Sequence, residues 1–167
     1  MDPLKTYDYL VLSRKHVFDW VRPLSAEQYG RQFPIGFGTL AQTLTHVMIC
    51  EWMYVRRLQE KQVPPYSEWP IQDENPPPFA GLELAWNEQA VQTRAVLASV
   101  EDWNAEVEYP KTSEDGRTEV IVASLGDMFT QMAFHEVHHR AQAMNMLRHL
   151  GVALSDIDYN ALMFRRK

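Results

Sequence analysis

The amino-acid sequence predicts an all-α protein, a four-helix up-down bundle with a small β-hairpin before the last long helix. Apolar residues recur at three- and four-residue spacing in four long segments, which is the period of an amphipathic helix. Two short segments on either side of Asp115-Gly116 alternate instead between apolar and polar residues, as paired strands do. With 167 residues, 46% of them hydrophobic and 23% charged, the chain has the composition of one globular domain spanning residues 1–167.

The first two long helices are separated by a segment rich in helix-breaking residues. The first is predicted over residues 3–21, and the glycines and prolines of residues 25–38 predict a loop after it. Thr39 begins the second helix, because its hydroxyl can accept a hydrogen bond from a free backbone N–H and Gln42 can reach back to it. This helix is predicted to end near Glu60.

Prolines, alternating apolar and polar residues, and capping residues predict the remaining elements. Six prolines within residues 61–78 predict a long loop without a helical period. Ser124 is a capping residue for the last long helix, and Gly151 is placed to end it in the left-handed conformation. The elements predicted after the loop are a helix at 81–99, strands at 103–109 and 117–122, a helix at 124–150 and a short helix that begins after 155–156 and runs to 163.

Charge and cysteine content argue against several classes of protein. The net charge of -6 and the pI of about 5.5 argue against nucleic acid as a partner. We expect a cytoplasmic protein, because Cys50 has no second cysteine for a disulfide and the first residues lack the pattern of a signal peptide. No apolar run approaches about eighteen residues, so we expect no membrane span.

Four of the six histidines lie between residues 135 and 149, on the predicted last long helix. On a helical wheel His135 and His139 fall on the apolar face, whereas His138 and His149 point away from it. Two imidazoles four residues apart on a helix lie one turn from each other and can reach the same metal ion. Hydrogen-bonded core histidines are the structural alternative, but two inward histidines with Glu136 between them favour metal binding.

The pattern leaves the third ligand open between His46 on the second long helix and His16 on the first. His46 shares a narrow face with Cys50, whose thiol could be a soft ligand but is more typical of a small buried apolar side chain. Glu51 lies in the centre of the apolar face of its helix, where a carboxylate is costly unless it is paired or bound. It can therefore be a metal ligand, a partner of a ligand histidine or one half of a buried salt bridge.

Two known motifs overlap the histidine pair, and the rest of the chain argues against both. Residues 135–139 match H-E-x-x-H, the motif of zinc proteases. The chain has no glutamate after Glu136 to complete that site, which leaves only Asp156 or Asp158 as its third ligand. Residues 136–139 also match the Glu-x-x-His of di-iron bundles, but the second copy that such a site needs is absent from the sequence.

Taken together, these residues resemble the pattern of the DinB-like, or DinB/YfiT-like, superfamily of metalloenzymes. That pattern has a histidine early in the second long helix and H-x-x-x-H-R-x-Q on a late helix, which here are His46 and the segment from His135 to Gln142. Ala141 stands where the family usually has glycine, a departure that leaves the histidines intact. The likeness extends over nearly the whole chain and includes the hairpin residues 115–117.

The resemblance implies a divalent metal site and a bundle that is commonly dimeric. Its ligands would be His46, His135 and His139, and the expected metal is zinc or nickel. Three residues near these ligands are candidates for holding them in place: Glu51, His138 and Gln142.

Three neutral imidazoles leave the charge of the ion uncompensated and a coordination position open, which is typical of a catalytic site. Relatives in the superfamily include transferases and isomerases that use low-molecular-weight thiols. The resemblance therefore implies a small-molecule enzyme and metal-dependent thiol S-transfer. Glu136, a carboxylate on the apolar face of its helix, is the candidate general base. Metal-dependent hydrolysis is the alternative, since the open position can also hold water. A third hypothesis is a stress-linked protein that binds a metal or a small ligand without turnover.

A second apolar stripe on the last long helix predicts a homodimer. This outer stripe consists of Phe134, Val137, Ala141 and Met144 and lies roughly opposite the core face of the helix. Outward apolar side chains in one patch usually mark an interface. The alternative is that the proline-rich loop at 61–78 folds over this stripe.

Overall fold

The computed structural model describes residues 2–112 and 115–165. In chain order its elements are α1 (Pro3–Val21), α2 (Ala26–Tyr29), α3 (Leu40–Leu58), α4 (Phe79–Ser99), β1 (Glu106–Thr112), β2 (Thr118–Ser124), α5 (Leu125–His149) and α6 (Tyr159–Met163), with a 3-10 turn at Tyr66–Glu68. The predicted all-α bundle with a hairpin before its last long helix is confirmed. Within these described ranges, no helix has both the length and the apolar character needed to cross a bilayer.

The four long helices form the bundle, in which α1 and α3 each pack against both α4 and α5. One apolar cluster joins the C-terminal halves of α1 and α5 to the N-terminal halves of α3 and α4, and a second cluster joins the opposite halves. Helices α1 and α5 therefore run in one direction, and α3 and α4 run in the other. The order of the four long helices is thus up, down, down, up, and not the simple up-down alternation that the sequence predicts, because the connection at 59–78 returns along the length of the bundle.

Capping residues set the ends of the long helices as the sequence predicts. The Thr39 hydroxyl oxygen accepts a hydrogen bond from the backbone N–H of Gln42 at 3.0 Å, and the Ser124 hydroxyl oxygen accepts one from the N–H of Asp127 at 3.0 Å. After α5, Gly151 has a φ of 79°, a left-handed conformation that glycine adopts without strain. Each of these three boundaries lies within one or two residues of its predicted position.

Two short helices differ from the prediction. Residues 25–38 were expected to form a loop, but they contain α2, which Ser25 and Gln28 begin with a complete capping box. The helix expected after residues 155–156 begins only at Tyr159. There the Asp156 carboxylate accepts a hydrogen bond from a backbone N–H two residues later, which stabilises a turn in place of the first helical turn.

The two strands form the predicted antiparallel hairpin, in which Glu106 pairs with Ser124. β1 begins later than predicted, because the carbonyl oxygen of Trp103 accepts a hydrogen bond from the start of α5 and its ring packs against that helix. Gly116, with a φ of 80°, lies between the strands as expected. Residues 113 and 114 of the same connection lie outside the described residues.

A buried polar network crosses the bundle between the two apolar clusters. Arg14 on α1 donates from Nη2 to Glu51 on α3 and to Glu136 on α5, at 2.7 Å in both cases. Further donors from α1 and α4 surround the Glu51 carboxylate: the hydroxyl of Tyr7 at 2.5 Å, the hydroxyl of Thr93 at 2.6 Å and the indole N–H of Trp86 at 2.8 Å. We call these six residues the Arg14 network. It connects all four long helices through one guanidinium and two carboxylates.

Replacing Glu51 with alanine should lower the free energy of unfolding by about 3–5 kcal/mol, because it leaves a buried guanidinium short of one partner and removes the acceptor of three further donors. Urea unfolding measures this loss. Asp8→Ala is the control, since Asp8 pairs with Arg94 on the exposed surface, and it should cost less than about 1 kcal/mol. Equal losses in the two variants would contradict the prediction.

Candidate metal centre

Three histidines meet where α3 packs against α5. The Nε2 atoms of His46 and His135 lie 3.1 Å apart. The ring centre of His139 lies 4.9 Å from that of His46 and 4.4 Å from that of His135. The structure thus brings together the three residues that the sequence proposed as ligands. His16, the alternative third ligand, lies instead beside Trp20, with ring centres 6.1 Å apart.

The proline-rich loop contributes a carboxylate to this site. Asp73 Oδ2 lies 2.7 Å from Nδ1 of His46, and Asp73 Oδ1 accepts a hydrogen bond from the Tyr66 hydroxyl. A carboxylate at Nδ1 favours the tautomer that carries its proton there, which leaves the lone pair of Nε2 free on the side of His135. Asp73 therefore orients His46 for ligation through Nε2, a contact that the sequence did not reveal.

A chain of side chains also positions His139. Its Nδ1 lies 2.8 Å from Oε1 of Gln142, and Nε2 of Gln142 lies 3.1 Å from Nε2 of His138. The backbone of Gly36 lies close to the same Gln142 amide. A Cβ atom at Gly36 would come within 2.3 Å of the Gln142 Oε1 atom, so the amide occupies space that only glycine leaves open. Two of the three residues proposed to hold the ligands, Gln142 and His138, therefore lie in contact with one another next to His139.

The loop before α3 covers part of the site with an aromatic ring. Phe37 lies 4.0 Å from His46 and 5.3 Å from His139, measured between ring centres. Its side chain is nonetheless 39% exposed. Phe37 thus provides an apolar wall at the mouth of the site, and sequence reasoning missed it because it lies in a loop without a repeating pattern.

Cys50 lies on α3 one turn after His46 and faces the same site. Its Sγ atom is 3.6 Å from His46 Nε2, and the ligand atoms of His46, Cys50 and His135 all lie within 4.8 Å of one another. Burial raises the pKa of the Cys50 thiol to about 12 in the metal-free protein. Imidazole nitrogens and a thiol are donors that zinc and nickel accept, so the residues present fit the metal that the resemblance implies.

Burial keeps two of the imidazoles neutral. It lowers the pKa of His135 to about 3, and the neighbouring His139 and His46 lower it further as like charges. Burial likewise lowers the pKa of His139, against the opposing hydrogen bond that its Nδ1–H donates to the Gln142 Oε1 atom. Neutral imidazoles carry the free lone pair that a metal ligand needs.

The two glutamates near the histidines point into the bundle. Glu51 takes one of the three roles that the sequence left open, since it forms the buried salt bridge with Arg14. Glu136 forms the second salt bridge with the same guanidinium, and burial raises its pKa while Arg14 opposes the rise. Its role as a general base stays a prediction.

Comparison with known proteins finds the same architecture elsewhere. The crystal structure of a DinB-like protein, YjoA from Bacillus subtilis, superposes with a TM-score of 0.65, covering 92% of this chain and 97% of that one at 13% sequence identity. At that identity the likeness concerns the fold. A search of curated proteins finds no match. The sequence model of the DinB family matches residues 1–166. The chain therefore belongs to the DinB family.

Proposed function

We propose that this protein is a metal-dependent enzyme that binds one divalent ion, zinc or nickel, through His46, His135 and His139. Its proposed reaction, in the cytoplasm, joins the sulfur of a low-molecular-weight thiol to an electrophilic carbon of a small-molecule substrate, with the leaving group of that carbon and the thiol proton released to solvent. The observation that carries the proposal is the convergence of three imidazoles from two helices, with two Nε2 atoms 3.1 Å apart.

The surroundings of the histidines support metal binding over a purely structural cluster. Here the outer nitrogens of His46 and His139 contact Asp73 and Gln142, while the rings themselves face one another. Supporting groups at the outer nitrogen are typical of metal-ligating histidines.

A bound divalent ion would stabilise a thiolate at neutral pH, which makes the sulfur a nucleophile. The protein's own side chains would position the ion and the substrate. His46, held by Asp73, and His139, held by Gln142, would fix the position of the ion. The exposed part of the Phe37 ring would contact an apolar portion of the substrate and limit the access of water.

Turnover separates this proposal from its alternatives. Protein loaded with zinc or nickel is mixed with a panel of thiols and electrophiles, and with ester and amide substrates for the hydrolytic alternative. We expect thiol consumption that EDTA abolishes and that added metal restores. Hydrolysis without thiol dependence would favour a metal hydrolase, and metal binding without any turnover would favour a binding protein.

Metal stoichiometry tests the ligands themselves. Replacing His46, His135 or His139 with alanine should abolish stoichiometric binding, because each removes one nitrogen donor at about 2.0–2.1 Å from the ion. Competition with a chromophoric chelator measures the affinity. His138→Ala and His149→Ala are the controls and should retain one ion per chain. Loss of binding in a control but not in His139→Ala would contradict the ligand set.

The buried neutral His135 predicts a pH-dependent stability of the metal-free protein. Its pKa is about 3 in the folded state against an ordinary value of 6.5, so the unfolded chain binds more protons between these values. Stability should therefore fall as the pH drops below about 6.5. Thermal melts in EDTA at about pH 7 and pH 5 should show a smaller loss in His135→Gln than in the wild type. His149→Gln, on the exposed end of the same helix, should behave like the wild type.

We also propose that the outer stripe forms a homodimer interface. Phe134 is 62% exposed and Val137 is 40% exposed. They border an apolar groove of about 440 Å³ between α1 and α5, which Tyr159 also lines. The proline-rich loop packs elsewhere, since the Trp69 ring lies 5.4 Å from Trp52 on α3. A second copy of the stripe would remove these side chains from water.

Phe134→Glu should convert the dimer into a monomer, because a two-fold interface would bury the new charge twice. Sedimentation velocity at micromolar concentration measures the change. Val91→Glu is the matched control, since Val91 is 73% exposed on α4. A wild-type monomer, or a dimer that Phe134→Glu leaves intact, would refute the interface.

A further inference from the structure

We infer that Cys50 is a fourth ligand of the proposed metal ion, so that the site in its resting state is closed by three histidines and one thiolate. This inference rests on the proposed function, since it concerns the same metal. The sequence alone suggests that Cys50 is a small buried apolar side chain. The inference gives Cys50 a role as a metal ligand instead.

Helix geometry places the four side chains as two matched pairs. His46 and Cys50 are four residues apart on α3, and His135 and His139 are four residues apart on α5. Side chains at this spacing lie one above the other on the same face of a helix. Because α3 and α5 pack directly against each other, His46 and Cys50 lie opposite His135, and one ligand atom from each of these three residues lies within 4.8 Å of the others. The His139 ring lies beside them, with its centre 4.9 Å from that of His46.

The distances between these atoms match the edges of a zinc tetrahedron. Zinc–nitrogen bonds of about 2.0–2.1 Å and zinc–sulfur bonds of about 2.3 Å place two nitrogens about 3.3–3.4 Å apart and a nitrogen and a sulfur about 3.5–3.6 Å apart. In the structure, His46 Nε2 lies 3.1 Å from His135 Nε2 and 3.6 Å from Cys50 Sγ. The two distances from His46 Nε2 therefore lie close to those of a zinc tetrahedron, and the third, between His135 and Cys50, is at most 4.8 Å.

The chemistry of the donors leads to the same conclusion. A thiol that coordinates zinc loses its proton, and the resulting thiolate offsets half of the charge that three neutral imidazoles leave on the ion. The chain has no other cysteine with which Cys50 could form an internal disulfide. Once Cys50 is a ligand, an added thiol or water has to compete with its sulfur for a place on the metal.

X-ray absorption and cobalt substitution test this coordination directly. Protein purified without added thiols is loaded with zinc or with cobalt(II). We expect one sulfur at about 2.3 Å from the zinc, beside nitrogens at about 2.0–2.1 Å, and a thiolate-to-cobalt charge-transfer band in the near ultraviolet. Because Cys50 is the single cysteine of the chain, a thiolate band can come from no other residue.

The Cys50→Ala variant should bind the metal through nitrogen alone and lose the charge-transfer band. Added 2-mercaptoethanol should restore the band in this variant by occupying the vacated position. His149→Ala is the control, since His149 is exposed at the C-terminal end of α5, and it should keep the wild-type spectrum.

The outcomes distinguish the two levels of the proposal. A wild-type protein that binds metal with only nitrogen and oxygen neighbours overturns the role of Cys50 and leaves the three-histidine site standing. A wild-type protein that binds no metal overturns both. The wild-type spectra decide the question even if Cys50→Ala fails to fold.

Discussion

The guanidinium of Arg14 holds in place the two helices on which the candidate site is built. A single nitrogen of Arg14 donates to Glu51 on α3 and to Glu136 on α5. Each glutamate directly follows a residue of the site, since Glu51 comes after Cys50 and Glu136 after His135. Successive residues on a helix are about 100° apart, so the carboxylates can point into the bundle while their neighbours point toward the site. The salt bridges therefore set the separation of α3 and α5 at the level where the histidines meet.

The buried charges of the network are balanced within the bundle. Burial raises the pKa of Glu136, and the guanidiniums of Arg14 and of the buried Arg140 oppose that rise. The adjoining imidazoles are neutral, because burial lowers the pKa of His135 and His139. Neutral imidazoles offer lone pairs without a charge of their own, so this group of donors favours a cation over an anion as its ligand.

Sequence patterns predicted the elements in which apolar residues recur at a regular spacing. The long helices follow from apolar periodicity, and the pairing of His135 with His139 follows from their spacing on one helix. Helical periodicity alone could not choose His46 over His16, because that choice depends on which helices are neighbours. The resemblance to a known family points to His46, and the structure places His46 beside His135.

The contacts that the sequence did not reveal come from loops or from several helices at once. Asp73 and Phe37 reach the site from segments without a period, so nothing in the sequence assigns them a direction. The salt bridge of Glu51 was one of three open roles, because its partner lies 37 positions away on another helix. Such contacts depend on which elements pack together in the fold. A single sequence gives only the residue types, which show that a buried charge needs a partner but not which residue that partner is.

The sequence separation between these contacting residues has a consequence for folding during translation. Arg14 and Glu136 are 122 positions apart, and His46 and His135 are 89 positions apart. Neither contact can form while α5 is still inside the ribosome. A nascent chain that ends before α5 lacks Glu136 as a partner for Arg14 and lacks the helix that covers the apolar faces of α1 and α3. Translation of α5 is therefore the step that commits this chain to its fold, and a truncated product should be a substrate for chaperones and proteases.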